Sequence, residues 1–281
     1  MPSNYAHYKF GKEIYDRLPE SIRRSVDVSP QLFAIGQHGP DILFYYETLH
    51  ANPVAKKGSS MHARPAAEFF EPSVAMVSGC RRERGERAYL YGFVCHFMLD
   101  STVHWYVEEK IEESGVSHVE IEGEFDRMLM QKDGLHPLEH MTAQQIVPSP
   151  RNAAVIAKFF PEFSREQILK SLQDMIFYSC LLVCKHTPKR VLLRTGLALL
   201  GKTEAVAGMI INPIPNGKCQ DSNRNLSKLF DVALDETVGV LAAVEQVLDH
   251  GGPLPERFYR TFGPDAVSRE EYKVCLTGET V

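Results

Sequence analysis

Apolar residues recur at three- and four-residue steps along most of this chain, while strict alternation is sparse, so the pattern predicts an all-α fold. Helices are expected over roughly 8–18, 41–49, 63–79, 84–112, 117–131, 151–160, 164–186, 188–200 and 221–249. Pro and Gly punctuate these segments: Pro40 before "DILFYYETL", "ANP" and "KKGSS" within 51–60, "SPRN" at 149–152, "INPIPNG" at 211–217 and "HGGPLP" at 250–255. None is a long flexible linker, and no internal repeat or low-complexity tract intervenes, so residues 1–281 are read as a single multi-helix domain. "SREQ" at 164–167 has the capping-box form and fixes one helix start. Residues 150–281 carry few ionisable groups within their apolar runs and read as C-terminal scaffold helices.

One segment breaks the pattern. "YGFVCHFMLDSTVHWYV" (91–107) is apolar almost throughout, yet it places His96, Asp100 and His104 at steps of four. Four helical residues advance about 400°, so such positions drift by only about 40° per step and share a face. An unpaired buried carboxylate costs several kcal/mol, roughly, so Asp100 requires a cation or strong donors. In "SHVEIEGEFDRML", His118 and Glu122 repeat the four-residue step on the next helix, giving five potential ligands within 27 residues. Imidazole with carboxylate is the ligand set expected of zinc. Ala88 to Val107 is almost long enough to span a bilayer, but its three ionisable groups favour a buried helix in a soluble protein.

Upstream, "GQHGPDILFYY" puts Asp41 at a helix start, "KKGSSMHARPA" puts His62 before a helix, and "NYAHYKFG" puts His7 near the beginning of the chain. Tyr45, Tyr46, Phe69 and Phe70 are candidates to line a site, though aromatic residues at such spacing are more often core. His136 and His140 share the four-residue spacing, but Pro137 and polar neighbours place them in an exposed loop. Cys180, Cys184 and His186 read as two core thiols and a terminal His at a helix end.

Composition adds limits. With 44% hydrophobic and 24% charged residues the balance is that of an ordinary globular chain. A net charge of −5 and a pI near 6.1 give no basic groove for a polynucleotide. The six scattered cysteines fit reduced thiols better than a disulfide framework. "MPSNYAHYKFGKEIYDRLPE" shows no secretory signal, which leads to the expectation of a cytoplasmic protein. Nothing in the sequence sets the oligomeric state.

The ordered series of His7, "GQHGPD" with Asp41, "GSSMH" with His62, "AYLYGFVCHFMLDSTVHWY" with His96, Asp100 and His104, and "HVEIEGEFD" with His118 and Glu122 resembles the zinc-dependent phospholipase C family, whose relatives include the S1/P1 nucleases. The resemblance covers roughly residues 1–130 and implies the helical fold of that phospholipase C / P1 nuclease type. It implies one zinc ion held by Asp41, His62, His96 and Asp100, and a second held by His104, His118 and Glu122. A third family zinc would use His7, with Asp100 as a bridge, and the amino group and carbonyl of a processed N-terminal Trp. Here residue 1 is Met and the only tryptophan is Trp105, a departure at that site.

The resemblance implies a zinc-dependent phosphoester hydrolase, phospholipase C-like, in which a metal-bound hydroxide attacks a phosphodiester and Asp41 orients or accepts its proton. The expected substrate is a small phosphoester or a phospholipid, with transient membrane-surface contact; the apolar segment 190–215 is the candidate rim for it, although the segment reads first as a packed hairpin in the core. A nuclease or nucleotidase on the same scaffold, and a non-catalytic metal-binding scaffold protein, are the alternatives.

Overall fold

A computed structural model describes residues 4–80, 85–201 and 206–277. Residue 1, where the family places a ligand of its third zinc, residue 84, the start of one predicted helix, and 202–205, inside the apolar 190–215 segment, lie outside the described residues. The helices are α1 (Asn4–Arg17), α2 (Glu20–Asp27), α3 (Pro30–Gly36), α4 (Pro53–His62), α5 (Ala67–Ser78), α6 (Glu86–Ser114), α7 (His118–Lys132), α8 (Pro150–Ile156), α9 (Arg165–Leu182), α10 (Thr187–Leu199), α11 (Gln220–His250) and α12 (Ala266–Thr277). A 3-10 turn spans Gly39–Tyr45. Among the described residues, extended pairing amounts to one isolated bridge between Pro65 and Thr261. The fold is all-α.

Helix α6 is the axis. Every residue from Glu86 to Val107 is buried, as befits a helix that is apolar nearly all round. Helix α3 crosses it with backbone against backbone: a Cβ on Gly92 would lie 2.2 Å from the Phe33 carbonyl oxygen, and one on Gly36 would lie 2.3 Å from that of Tyr89. Helix α11 is tied to α6 by polar groups, with the Arg87 guanidinium donating to Glu245 at 3.2 Å and to Asp249 at 2.8 Å, and the Tyr91 hydroxyl donating to Glu245. Such a buried network is costly to break, because a partner removed leaves a charge out of water.

Two further attachments set the site. Helix α1 begins on α7: the backbone N–H groups of Tyr5 and Ala6 donate to the Asp126 carboxylate at 3.0 and 2.7 Å, a side chain from a distant helix meeting an N-terminal turn where negative charge is favoured. This fixes His7 over α6. The segment before α12 is held by aromatic packing, with Phe258 stacked on Phe97 at 5.2 Å and Phe262 edge-on to Phe97 at 5.1 Å. Burying a Phe stabilises by about 1.5–3 kcal/mol, so this connection is firmly placed.

Several elements depart from the expected pattern. The predicted helix 63–79 is α5, Ala67–Ser78, and 41–49 is the tighter 3-10 turn Gly39–Tyr45. Helices α2, α3, α4 and α12 were not anticipated: α3 is a single apolar run of seven residues, too short for periodicity to reveal, and α4 runs through the "KKGSS" read as a break. The capping box at Ser164 and Gln167 forms with both of its hydrogen bonds. Helix α9 stops at Leu182, so Cys184 lies beyond it, Cys180 is exposed rather than core, and His186 precedes α10. All six cysteines are free thiols.

Candidate metal centre

Eight side chains from five elements converge beside α6. Helix α1 supplies His7, the 3-10 turn Asp41, α4 His62, α6 the His96, Asp100 and His104 stripe, and α7 His118 and Glu122. All eight residues singled out from the sequence therefore meet in one place. Their potential ligand atoms form three sets, each with all atoms within 4.8 Å of one another: His7, His96 and Asp100; Asp41, His62 and His96; His104, His118 and Glu122.

Asp100 is the hub. One carboxylate oxygen lies 3.1 Å from His7 Nε2, while the other lies 3.0 Å from His96 Nε2, 3.7 Å from His62 Nε2 and 3.8 Å from His104 Nδ1. Asp41 faces His62 Nε2 at 3.2 Å and His96 Nε2 at 3.7 Å, so it serves this cluster rather than capping its own turn. Glu122 lies 3.3 Å from His104 Nε2 and 3.0 Å from His118 Nε2.

The backbone aims the imidazoles. His62 Nδ1–H donates to the Gly58 carbonyl at 2.9 Å and His104 Nδ1–H to the Phe262 carbonyl at 2.7 Å, which leaves each Nε2 lone pair turned to the cluster. Gly39 makes room for a third ring: its φ of 48° is left-handed, and a Cβ there would lie 2.2 Å from His96 Cδ2. The Phe262 contact joins the C-terminal segment to the site, a role beyond that of scaffold.

His38 is a buried neighbour of the cluster that sequence reading passed over, although it stands in the quoted "GQHGPD". It is fully buried, and Gln145 Nε2 donates to its Nε2 at 2.7 Å. Burial first, and then the nearby His7, push its imidazole down to about 3, so it stays neutral beside the ligand cluster.

The electrostatics keep the carboxylates ionised. Burial alone would raise all three carboxylic acids, yet His96 and His62 hold Asp41 low, His96, His104 and His7 hold Asp100 well below its usual range, and His118 and His104 hold Glu122 low. Burial would lower His104, but Asp100, Glu122 and the Phe262 carbonyl outweigh it and raise it to about 9. Despite these short separations, both oxygens of Asp41, Asp100 Oδ2, both ring nitrogens of His96 and Glu122 Oε2 are buried without a properly directed hydrogen bond. Lone pairs converging on shared points without bonding one another fit divalent ions as the missing partners.

A cleft of about 270 Å³ opens onto the cluster, lined by Asp41, His62, Asp100, His104, His118 and Glu122 with Phe44, Ser59, Gly263 and Pro264. Among the described residues no Lys or Arg lines it. Tyr45 and Phe70 are buried in the core and Phe69 stacks on Phe93 at 4.0 Å, so of the candidate aromatics none lines this cleft; Phe44 does. His136 is exposed, near Glu139, and stands apart from the cluster.

The scaffold is all-helical, and its clustered imidazoles and carboxylates could hold divalent ions. The chain belongs to the zinc-dependent phospholipase C family, whose model matches residues 6–171 and so takes in all eight cluster residues. No curated protein and no solved structure gives a match. No helix among the described residues is long and apolar enough to cross a membrane.

Proposed function

We propose that this chain is a zinc-dependent phosphodiester hydrolase acting on a glycerophospholipid, releasing diacylglycerol and a phosphorylated head group. The observation that carries it is the packing of three ligand sets around Asp100, which belongs to one of them and lies 3.7 Å from His62 and 3.8 Å from His104 of the others, at one open cleft within the residues matched by the family. Two zinc ions would be held by Asp41, His62, His96 and Asp100 on one side and by His104, His118 and Glu122 on the other. His7 stands ready on Asp100 for a third. Zinc supplies a Lewis acid that activates a ligated water and neutralises charge on the phosphoryl oxygens.

The protein groups do the rest. Three ionised carboxylates with no Lys or Arg among the described lining residues would repel a phosphoester, so the cleft admits its substrate only when the ligands carry divalent charge. Asp41 looks into the cleft from the rigid 3-10 turn, and its lowered pKa suits it to accept a hydrogen bond from the attacking water and orient it in line with phosphorus. Gly58 and Phe262 carbonyls hold His62 and His104 in the ligating tautomer, so little reorganisation accompanies the reaction. Phe44, shared between this cleft and a neighbouring apolar groove, gives the substrate's apolar portion somewhere to lie, and this favours a lipid over a nucleotide.

The test is turnover of phosphatidylcholine, of bis-p-nitrophenyl phosphate and of single-stranded DNA by the purified chain, before and after chelation and after zinc is restored. Zinc-restorable release of phosphocholine is expected. Hydrolysis confined to DNA, or none with zinc bound, would overturn the reading.

A further inference from the structure

Helix α10 is built unlike the rest of the molecule. Its one buried residue is Arg190, whose guanidinium donates to the carbonyls of Cys184 and Ile211. Outward it presents Val191, Leu192 and Leu199, 58%, 73% and 84% exposed; Leu192 and Leu199 lie about two turns apart on one face, with Val191 at its side. Leu200 and, from α9, Phe177 extend this apolar face. Beneath it runs a groove of about 570 Å³ between α9, α10 and the 3-10 turn, which reaches Phe44 at the wall of the metal cleft.

Charge says what covers the face. Between residues 175 and 217 the sequence has five Lys or Arg against one acid, Glu204, a local +4 in a chain of net −5, which leaves −9 on the remainder; Arg190 is buried and Lys185 is paired, so among the described residues the cations flanking the exposed face are Lys189 and Arg194. Lys189 donates to the Val183 carbonyl and Arg194 to Asn212, neither to a carboxylate. Nearby, Glu139 pairs with Lys185 and Asp174 with Lys170. A helix with an unpartnered leucine stripe and cations on its flanks matches an anionic lipid surface, where the apolar stripe enters the acyl boundary and each cation gains from the surface potential. A second copy of this acidic chain would offer α10 a surface of no such consistent complementarity, but it is tested below.

We infer that α10 is an interfacial docking face for anionic bilayers, which seats the chain so that a lipid drawn along the groove brings its phosphate to the metal cleft. The seating over the cleft rests on the function proposed above; the docking itself does not. Helix α10 lies beyond the residues that match the family, so this face belongs to this chain's own sequence.

The experiment is co-sedimentation of the purified chain with vesicles of phosphatidylcholine alone or with about one third phosphatidylglycerol, alongside Val191→Gln/Leu199→Gln, two exposed positions that line neither cleft nor groove. Expected are about tenfold tighter binding to the anionic vesicles, weakening with added salt, and a loss of about tenfold in the variant. The variant should hydrolyse bis-p-nitrophenyl phosphate at the wild-type rate, which reports an intact fold and site. Equal binding by variant and wild type, no preference for anionic lipid, or a wild-type dimer that the variant converts to monomer in light scattering would overturn the inference. Docking without any zinc-dependent hydrolysis would sustain it while removing the catalytic reading, and soluble-ester hydrolysis without docking would do the reverse.

Discussion

The cleft around Asp100 and the outer face of α10 both break the usual partition of side chains, in opposite directions. The cleft takes carboxylates and imidazoles out of water and leaves many of their polar atoms without directed partners; α10 leaves leucines in water. The first arrangement is stable only if something charged enters, the second only gains if something apolar arrives. Each therefore describes its absent partner: divalent cations in one case and a lipid surface in the other. The difference between them is depth. The ligand cluster rests on the most buried helix of the molecule and is preorganised, whereas α10 is held mainly through Arg190 and can be altered without disturbing the core.

The sharpest way to break this contrast is at Asp100. Asp100→Asn removes the carboxylate that approaches four imidazoles, and should lower zinc-dependent hydrolysis by at least about a hundredfold with loss of bound zinc. Full metal content and activity in that variant would mean that the cluster is only a buried ion network. Gly92→Ala comes next: with the Phe33 carbonyl oxygen 2.2 Å from the new Cβ, α3 and α6 must separate, at a cost of about 2 kcal/mol or more, read as a lower midpoint in urea.

The third test is pH. In the zinc-free chain the raised His104, at about 9, adds stability that is whole below its unfolded value of 6.5 and is lost as pH climbs through 9. The same proton competes with zinc, so zinc affinity should rise by about tenfold per pH unit between neutrality and 9, and calorimetry in two buffers should detect a released proton. A pH-independent affinity would contradict the placement of His104 as a ligand. Last, His136→Ala should change stability by less than about 0.5 kcal/mol and leave zinc content intact, because His136 is an exposed residue away from the cleft.

The cluster was legible because its chemistry is written at helical spacing: His96, Asp100 and His104 lie four apart on α6, as do His118 and Glu122 on α7, and nothing but a shared face follows from that. What stayed hidden is carried by the backbone or by distance in the chain. The carbonyls of Gly58 and Phe262 have no residue-type signature, and Asp126 at the N-terminus of α1 is more than a hundred residues away from its partners. Short helices such as α3 escaped because a single turn or two carries no periodicity. The leucines of α10 were read mainly as core because apolar spacing alone does not distinguish a buried face from one awaiting a partner.

Metal content per chain addresses the central claim most directly. Mass-spectrometric metal analysis of protein purified without chelator or nickel resin should find at least two zinc ions per wild-type chain, and one fewer in His118→Ala, which removes a ring 3.0 Å from Glu122 but leaves Asp41, His62, His96 and Asp100 untouched. No zinc in either protein, even after zinc is added back, would contradict the account and leave Asp100 in need of another partner.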